Sequence, residues 1–432
     1  MLFVRSTVVR AAWIFLPITA HGETRLPDSG DTAWLITATA LVLFMTLPGL
    51  AAFYSGLVRT KNALSIAMQC FAIACVVSLL WFLGGYSLAF GSGGSSSGLI
   101  GPPGHALFAG IGRGTLHGST PESAFAMFEM TFAIITPALV VGGFAERMKF
   151  SAVLAFSAAW SLIVYVPVCH WIWGGGWLAE RGVLDFAGGI VVHINAGVAA
   201  LVTALVLNKR RGFPHHAMPP HNMPLTVLGA GMLWVGWFGF NGGSALAANG
   251  SASMAILVTH LAAASGALSW MAVEWLRFGK PSVLGIVTGT VAGLGTITPA
   301  SGFVGPGAAV IIGLVAGVVC FGATQLLKRR FQIDDSLDVS PVHGVGGVVG
   351  TLLTAIFVDA RLGGVGYATG MTRVSQLQAQ ILGVLAVALW CAIATFAILR
   401  VLEWTIGLRV SEDQEREGLD LALHGERGYS TD

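Results

Sequence analysis

Residues 192 to 198 read VHINAGV and residues 342 to 348 read VHGVGGV, so both stretches fit the pattern V-H-x-x-(A/G)-G-V. Each stretch lies in an apolar run long enough to cross a membrane, where a polar side chain without a partner is costly. His193 falls in the fifth such run, and His343 opens the tenth. A motif that returns five runs later predicts an inverted repeat of two five-helix halves, in which the two imidazoles share one lumen.

The composition is that of an integral membrane protein. Hydrophobic residues make up 55% of the 432 residues, charged residues only 10%, and the mean hydropathy is +0.77. A soluble globule of this length would lack polar surface. The basic residues cluster in short tracts and the net charge is only +2, so nucleic acid is not the implied partner. The sequence has neither a phosphate-binding loop nor cysteines at metal-site spacing, which disfavours ATP-driven pumping and predicts no cofactor.

Eleven apolar runs, each of about 17 to 25 residues, predict an all-α protein with eleven transmembrane helices. The runs begin near Trp34, Leu64, Ala124, Ser151, Ala187, Leu225, Met254, Val283, Val304, Val339 and Leu377. Basic tracts such as Lys209 to Arg211 fall in every second loop, which the positive-inside rule assigns to the cytoplasm. We therefore expect a multi-pass protein of the cytoplasmic (inner) membrane, with its N-terminus outside and its C-terminus in the cytoplasm.

The first 20 residues predict a signal peptide, because Arg5 and Arg10 precede an apolar stretch too short to span a bilayer. An uncleaved anchor is the alternative, since an A-x-A cleavage pattern is missing. The rest of the chain divides into a membrane domain at 21–408 (repeat one about 32–209, repeat two about 223–358, a long eleventh helix about 375–405) and a cytosolic tail at 409–432.

The positions of the two histidines raise a difficulty. At about 1.5 Å per residue, each lies in the outer third of its own span, which leaves a gap between them across a core of about 30 Å. If the imidazoles touch, the tenth helix is expected to start earlier than Val339. Asp334, Asp335 and Asp338 would then be buried in protein or in a vestibule.

Motifs along nearly the whole mature chain resemble the ammonium transporter family, the Amt/MEP/Rh group, in its bacterial Amt type. They are TALVLFMTLPGLAAFYSGLVRTKN (39–62), FAIITPALVVGGFAER (132–147), HWIWGGGWLAE (170–180), LDFAGGIVVHINAG (184–197), GWFGFNGGSA (236–245), DVSPVHGVGGVVGTL (338–352) and GLRVSEDQEREGLD (407–420). The resemblance implies selective ammonium transport by a homotrimer in which every subunit has its own pore.

The resemblance also implies an outer site for the cation. Trp173 and Phe128 match vestibule aromatics, and Trp173 would hold a cation over its ring by cation–π attraction. Ser244 would accept a hydrogen bond from the same ion. Asp185 would cap the fifth helix and support this site from behind. Taken alone, Trp173 is also consistent with an aromatic belt, and Ser244 with a helix-packing serine.

Four further positions match the pore of the family. Phe132 and Phe240 match two stacked rings that close the path to water and hydrated ions, and His193 and His343 match the pore histidines. A bare cation in an apolar lumen faces a Born cost of tens of kcal/mol in the limit. Ammonium can avoid that cost by giving up a proton and continuing as ammonia, while the imidazoles relay the proton.

Glu129 departs from the pattern, because the family often carries an uncharged amide there. Its carboxyl group either strengthens cation attraction in the vestibule or is protonated or bonded within a subunit interface. The tail from Arg409 matches a segment that contacts neighbouring subunits and is tied to gating by a PII-type signal protein. Two other functions stay open: an ammonium sensor that acts through a cytosolic partner, and a membrane protein with haem held by both histidines.

Overall fold

The computed structural model describes residues 26–92 and 98–429, so the predicted signal peptide at 1–20 lies outside the described residues. Eleven apolar helical segments follow one another in the described part of the chain. In chain order they are α1 (Ser29–Leu57), α2 (Thr60–Phe90), α3 (Glu122–Phe144), α4 (Phe150–Glu180), α5 (Gly189–Leu207), α6 (Met223–Gly243), α7 (Gly250–Phe278), α8 (Val283–Ile297), α9 (Pro306–Arg330), α10 (Ser340–Phe357) and α11 (Arg373–Thr405). Ten have the length of a membrane span, and α8 is shorter at 15 residues. Each begins within five residues of its predicted start, which confirms the all-α multi-helix prediction.

Polar caps set several of these starts. The side chain of Asp28 accepts a hydrogen bond from the backbone N–H of Asp31 before α1, and Asn249 accepts two from the first turn of α7. Thr372 and Ser375 form a capping box at the start of α11. Such caps satisfy backbone N–H groups that have no partner within the helix.

A short hairpin and two short helices of the tail lie outside the apolar helices. A short hairpin joins β1 (Leu116–His117) to β2 (Thr120–Pro121) ahead of α3. The tail contributes α12 (Glu412–Glu417) and α13 (Leu419–His424).

Helices α5 and α10, which carry the two histidines, cross at their glycines. Both open with a π-helical turn, Gly189–Ile194 in α5 and Ser340–Val345 in α10. A Cβ atom on Gly197 would overlap the Cα atom of Gly344, and one on Gly347 would lie 3.2 Å from the Cβ atom of His193. The last glycine of each motif therefore lets the partner helix bring its histidine region into direct backbone contact.

The prediction that the tenth helix starts earlier is wrong. Helix α10 begins at Ser340, one residue after the predicted start. The chain instead enters the protein before the helix begins, since Asp334 and Asp335 are only 2% and 1% exposed. Asp338 is partly exposed and pairs with Lys328 at 2.7 Å. Buried non-helical segments ahead of both helices thus place the histidines at one depth.

A buried ion network ties together the loops that follow α1, α3 and α5. Arg210 bonds to Glu146 and to Asp334, each at 2.8 Å, and Arg59 reaches Glu146 at 3.1 Å. Burial favours protonation of Glu146, but Arg210 and Arg59 outweigh it and hold the pKa of that carboxyl at about 2. The charges are mutually compensated, as buried charges need to be.

The described part of the tail packs on its own subunit next to this network. Asp420 accepts hydrogen bonds from the backbone N–H groups of Leu64 (3.1 Å) and Ser65 (2.7 Å) at the start of α2. Arg409 pairs with Glu415 at 2.8 Å. The tail is therefore bound to the helix ends on the side predicted to be cytoplasmic.

Candidate functional site

A cavity of about 280 Å³ on the side predicted to face outward, here called the outer cavity, contains the predicted recruitment residues Trp173 and Ser244 in its wall. The indole N–H of Trp173 donates to the backbone carbonyl of Asp185 at 2.8 Å, which fixes the ring. The hydroxyl of Ser244 donates to the carbonyl of Phe240 at 2.9 Å. Because its one proton is used there, the hydroxyl oxygen has lone pairs left to accept a bond from a cation.

Asp185 caps α5, as the sequence predicts. Its carboxylate accepts hydrogen bonds from four consecutive backbone N–H groups, those of residues 188 to 191, at 2.6 to 3.0 Å. The side chain is used entirely for the helix start, while its carbonyl holds Trp173. Asp185 therefore links the orientation of α5 to the outer cavity.

Phe128 takes a different place from the predicted vestibule position. It is fully buried, and its ring centroid lies 5.0 Å from that of Phe132. Among the described residues, the wall of the outer cavity contains its neighbour Glu129 but not Phe128. Phe128 thus packs against the next ring.

Phe132 and Phe240 lie together beneath the outer cavity. Their ring centroids are 4.3 Å apart at an interplanar angle of 33°. The rings of Phe132 and Trp173 pack edge to face, with centroids 5.7 Å apart at an interplanar angle of 89°. Both phenylalanines are almost completely buried. Because Phe132 contacts Trp173 on one side and Phe240 contacts His193 on the other, the two rings separate Trp173 from the histidines.

The two imidazoles form a buried pair. The Nδ1 atoms of His193 and His343 are 3.2 Å apart, and the rings are nearly parallel at 15° with centroids 5.2 Å apart. His193 also lies 6.0 Å from Phe240 and 5.5 Å from Trp237, measured between ring centroids. An unbroken series of rings therefore runs from Trp173 to His343.

Two small cavities adjoin this pair. A cavity of about 10 Å³ is lined by both imidazoles, Trp237 and Phe240. That is room for about one water-sized molecule. A second cavity of about 90 Å³ continues from His343 to Lys328 and Asp338. His343 lines both spaces, so the pair stands between the rings of Phe132 and Phe240 and this second cavity, here called the inner cavity because it lies on the side predicted to be cytoplasmic.

The Nδ1–Nδ1 bond constrains the tautomers of the pair. A neutral imidazole has one N–H, so one ring donates through Nδ1 and keeps Nε2 as an acceptor, while the other accepts through Nδ1 and donates through Nε2. Nε2 of His193 is buried and has no hydrogen-bond partner among the described residues. The lumen therefore offers a small polar molecule one donor and one acceptor.

The comparisons with known proteins agree with this arrangement. The sequence profile of the Ammonium Transporter Family matches residues 33–429. The ammonium transporter of Aquifex aeolicus is 49% identical over 419 residues, which cover 96% of this chain and 97% of that protein. The ammonium transporter of Bacillus subtilis is 46% identical over 404 residues, which cover 93% and 98%.

Solved structures give the same result. A sensor Amt protein superposes with a TM-score of 0.85 at 33% identity and covers 91% of this chain and 98% of its own. Mep2 of Saccharomyces cerevisiae superposes with a TM-score of 0.82 at 37% identity and covers 90% and 88%. The chain belongs to the ammonium transporter family.

Membership of the ammonium transporter family makes this chain a multi-pass membrane transporter and not an enzyme. The haem alternative does not fit the histidine geometry. The Nδ1 atoms are 3.2 Å apart and bond to each other, and the space between the rings has no room for a porphyrin.

Asp335 is a counterpart of Asp185, and the sequence predicts its burial but not this role. It precedes His343 by eight residues, as Asp185 precedes His193, and it accepts a hydrogen bond from the N–H of Ser340 at 2.6 Å. Burial and the nearby Asp338 raise the pKa of Asp335 to about 6. The same D-x7-H spacing before both histidines is the sequence signal that identifies Asp335.

Proposed function

We propose that this ammonium transporter binds ammonium in the outer cavity, removes a proton, and conducts ammonia past a gate formed by Phe132 and Phe240 (the Phe gate) and past the histidine pair. The observation that carries the proposal is the 3.2 Å contact between the two buried Nδ1 atoms, placed between the outer and the inner cavity. Packing alone does not require two polar rings to face each other in an apolar lumen.

Recruitment depends on Trp173 and Ser244. A cation over the indole face gains about 0.5 to 2 kcal/mol. Ser244 adds an acceptor whose proton is already given to Phe240. A small cation with N–H groups can donate a directed hydrogen bond to the hydroxyl oxygen, whereas a cation without them can only be attracted to its lone pairs.

The gate determines the form in which the substrate continues. Phe132 and Phe240 close the path with two buried rings, so a hydrated ion does not fit between them. Dehydrating the charge costs far more than one aromatic contact returns. Loss of a proton removes that cost, and the substrate then enters the lumen as neutral ammonia.

The histidine pair accounts for the proton and for ammonia. Ammonia has donors and an acceptor, which complement the Nε2 donor and the Nε2 acceptor that the paired rings offer. The proton that ammonium loses is taken up at the free Nε2 of one ring, the Nδ1 proton of that ring passes to Nδ1 of the other, and the second ring releases its Nε2 proton towards the inner cavity, which exchanges the two tautomers. The separated proton and ammonia thereby follow the same line of residues to the inner cavity.

Three statements about assembly belong to the same proposal. The basic loops lie on the side where the tail packs, and the positive-inside rule assigns that side to the cytoplasm. Because eleven helices separate the two ends of the chain, the N-terminus is then outside. The protein is a homotrimer with one pore in each subunit. A PII-type signal protein binds on the tail side, where the described tail contacts α2 through Asp420 and Lys61.

A sensor function is the second candidate, since a sensor Amt protein superposes with a TM-score of 0.85. Purified protein in liposomes distinguishes the two. An ammonium pulse should evoke a current or an internal pH change that potassium does not evoke. Specific ammonium binding without flux would instead support the sensor.

A further inference from the structure

Glu129 brings a buried carboxyl group into the wall of the outer cavity, and the mechanism above does not use it. The side chain is only 7% exposed, and its Oε2 atom has no hydrogen-bond partner among the described residues. Trp173 and Ser244 line the same cavity of about 280 Å³. A buried carboxyl group therefore belongs to the wall of the cavity in which we propose that the cation binds.

Its position on α3 places it next to the gate. Glu129 is four residues after Phe125 and three before Phe132, so the three side chains share one helix face. Phe125 also lines the outer cavity, and the ring of Phe132 meets that of Trp173 at 5.7 Å. Glu129 thus lies one helical turn from the gate, on its outer side.

A carboxylate in this environment requires a positive partner, because a buried charge without one is strongly unfavourable. The cavity wall contains no lysine or arginine among the described residues, and its one imidazole, His117, stacks on Phe125 with centroids 3.6 Å apart. The partner that matches the surroundings is a small cation with N–H donors. It can face the carboxylate, the indole ring and the acceptor of Ser244 together.

We propose that Glu129 is a cation-binding residue, which completes the site of Trp173 and Ser244 with a negative charge and takes ammonium and small primary alkylammonium ions. The proposal rests on the proposed transport function and adds a charge to its first step. A methyl substituent on the nitrogen leaves three N–H donors, which are enough to face the carboxylate and the hydroxyl oxygen together. The cavity volume of about 280 Å³ has room for that substituent.

The test replaces the charge and keeps the shape. In liposomes, Glu129→Gln should raise the half-saturating concentration for ammonium-evoked and methylammonium-evoked current about tenfold or more, a change of about 1.4 kcal/mol. Maximal current should fall much less. Glu122→Gln is the matched control, since that carboxylate lies in the first turn of the same helix, bonds to the hydroxyl of Tyr86 at 2.9 Å, and is not in the cavity wall. It should leave the half-saturating concentration unchanged.

An unchanged half-saturating concentration in Glu129→Gln would overturn the proposal, because it would mean that the carboxyl group is uncharged or bonded between subunits. A second measurement needs no variant. Saturating methylammonium should shift a carboxylate band in infrared difference spectra of the wild-type protein, and no change in that region would also overturn the proposal. This readout reports binding, so it decides the role of Glu129 even if wild-type flux is absent and the transport proposal fails.

Discussion

Two hydrogen bonds decide what the outer cavity offers to a ligand. The indole proton of Trp173 is given to the carbonyl of Asp185, and the hydroxyl proton of Ser244 is given to the carbonyl of Phe240. Both residues therefore present electron-rich groups, a ring face and lone pairs. A cation is favoured by each of these contacts, and a neutral hydrogen-bond acceptor is favoured by neither.

Trp173→Leu tests the ring at this site. Leucine keeps apolar bulk and removes the quadrupole, so the half-saturating ammonium concentration should rise about two- to thirtyfold, which corresponds to the range of about 0.5 to 2 kcal/mol for a cation–π contact. Concentration-dependent flux in liposomes measures it. Trp404→Leu is the control, because Trp404 is 89% exposed at the end of α11. Wild-type concentration dependence in Trp173→Leu would indicate that Trp173 belongs to the aromatic belt and does not bind the cation.

Matched motifs predicted the identities of the residues that the structure brings together, but not which way two neighbours face. Phe128 and Glu129 are adjacent on α3, and their sequence does not tell which one reaches the cavity. The fold decides: a Cβ atom on Gly243 would lie 2.7 Å from the ring of Phe128, so α6 closes over that ring. Glu129 is left in the cavity wall.

Among the helices, α5 and α10 show what the sequence establishes and what it leaves undecided. Hydropathy located both starts to within two residues, and the repeated motif paired the two histidines. The earlier start expected for α10 is wrong, because that expectation requires each helix to begin at the membrane surface. A carboxylate eight residues before each histidine lets the chain enter the protein as buried non-helical backbone.

The proposed gate lies between two helices, since Phe132 belongs to α3 and Phe240 to α6. Replacing both rings with alanine should join the outer cavity to the cavity of about 10 Å³ beside the histidines. We expect selective ammonium transport to be lost, either through water and potassium leak or through failure to transfer ammonia, with the ammonium-to-potassium flux ratio down about tenfold or more. Liposome flux of ammonium, potassium and water measures this.

Phe144→Ala is the control for that double variant. Phe144 is fully buried and contacts Phe156 instead of the gate rings. A Phe→Ala change in a packed core costs about 3 to 5 kcal/mol of stability, so the control separates lost packing from a lost gate. Parental flux with continued rejection of water and potassium in the double variant would show that the two rings are not the gate.

At the scale of the whole molecule, one buried ion network holds the ends of several helices. Glu146 lies at its centre, with Arg59 on one side and Arg210 on the other, and Arg210 also bonds to Asp334, which lies between α9 and α10. Hydropathy gives the number of helices but contains no information on such a network. Its members come from loops that are far apart in the sequence.

Glu146→Gln should destabilise the protein by about 3 kcal/mol or more at pH 7, because it leaves buried arginine charge less compensated. The pKa of Glu146 is about 2 in the folded protein and close to the ordinary glutamate value when unfolded. Its contribution is therefore fully present above about pH 4.5 and is lost as the pH falls toward 2. The melting temperature of the detergent-solubilised variant should differ from that of the wild type by a constant amount between pH 7 and 5 and by less below pH 5.

Glu426→Gln is the control, because it is an exposed change in the tail and should alter the melting temperature little. A Glu146→Gln difference that persists unchanged at pH 3 would contradict this account.

The central claim is that His193 and His343 act as one unit, which the 3.2 Å contact between their Nδ1 atoms implies. Removing either imidazole leaves the other without its bond in a dry lumen, a penalty of about 1 to 3 kcal/mol, and breaks the proton path. The decisive measurement is ammonium-evoked current in liposomes, together with potassium flux, for His193→Ala, His343→Ala and the double variant. We predict similar losses of current in all three, because members of one unit are not additive, with ammonia leak and potassium entry as the residual activities. Independent and additive losses from the two substitutions, or wild-type current in the double variant, would contradict the paired-histidine relay.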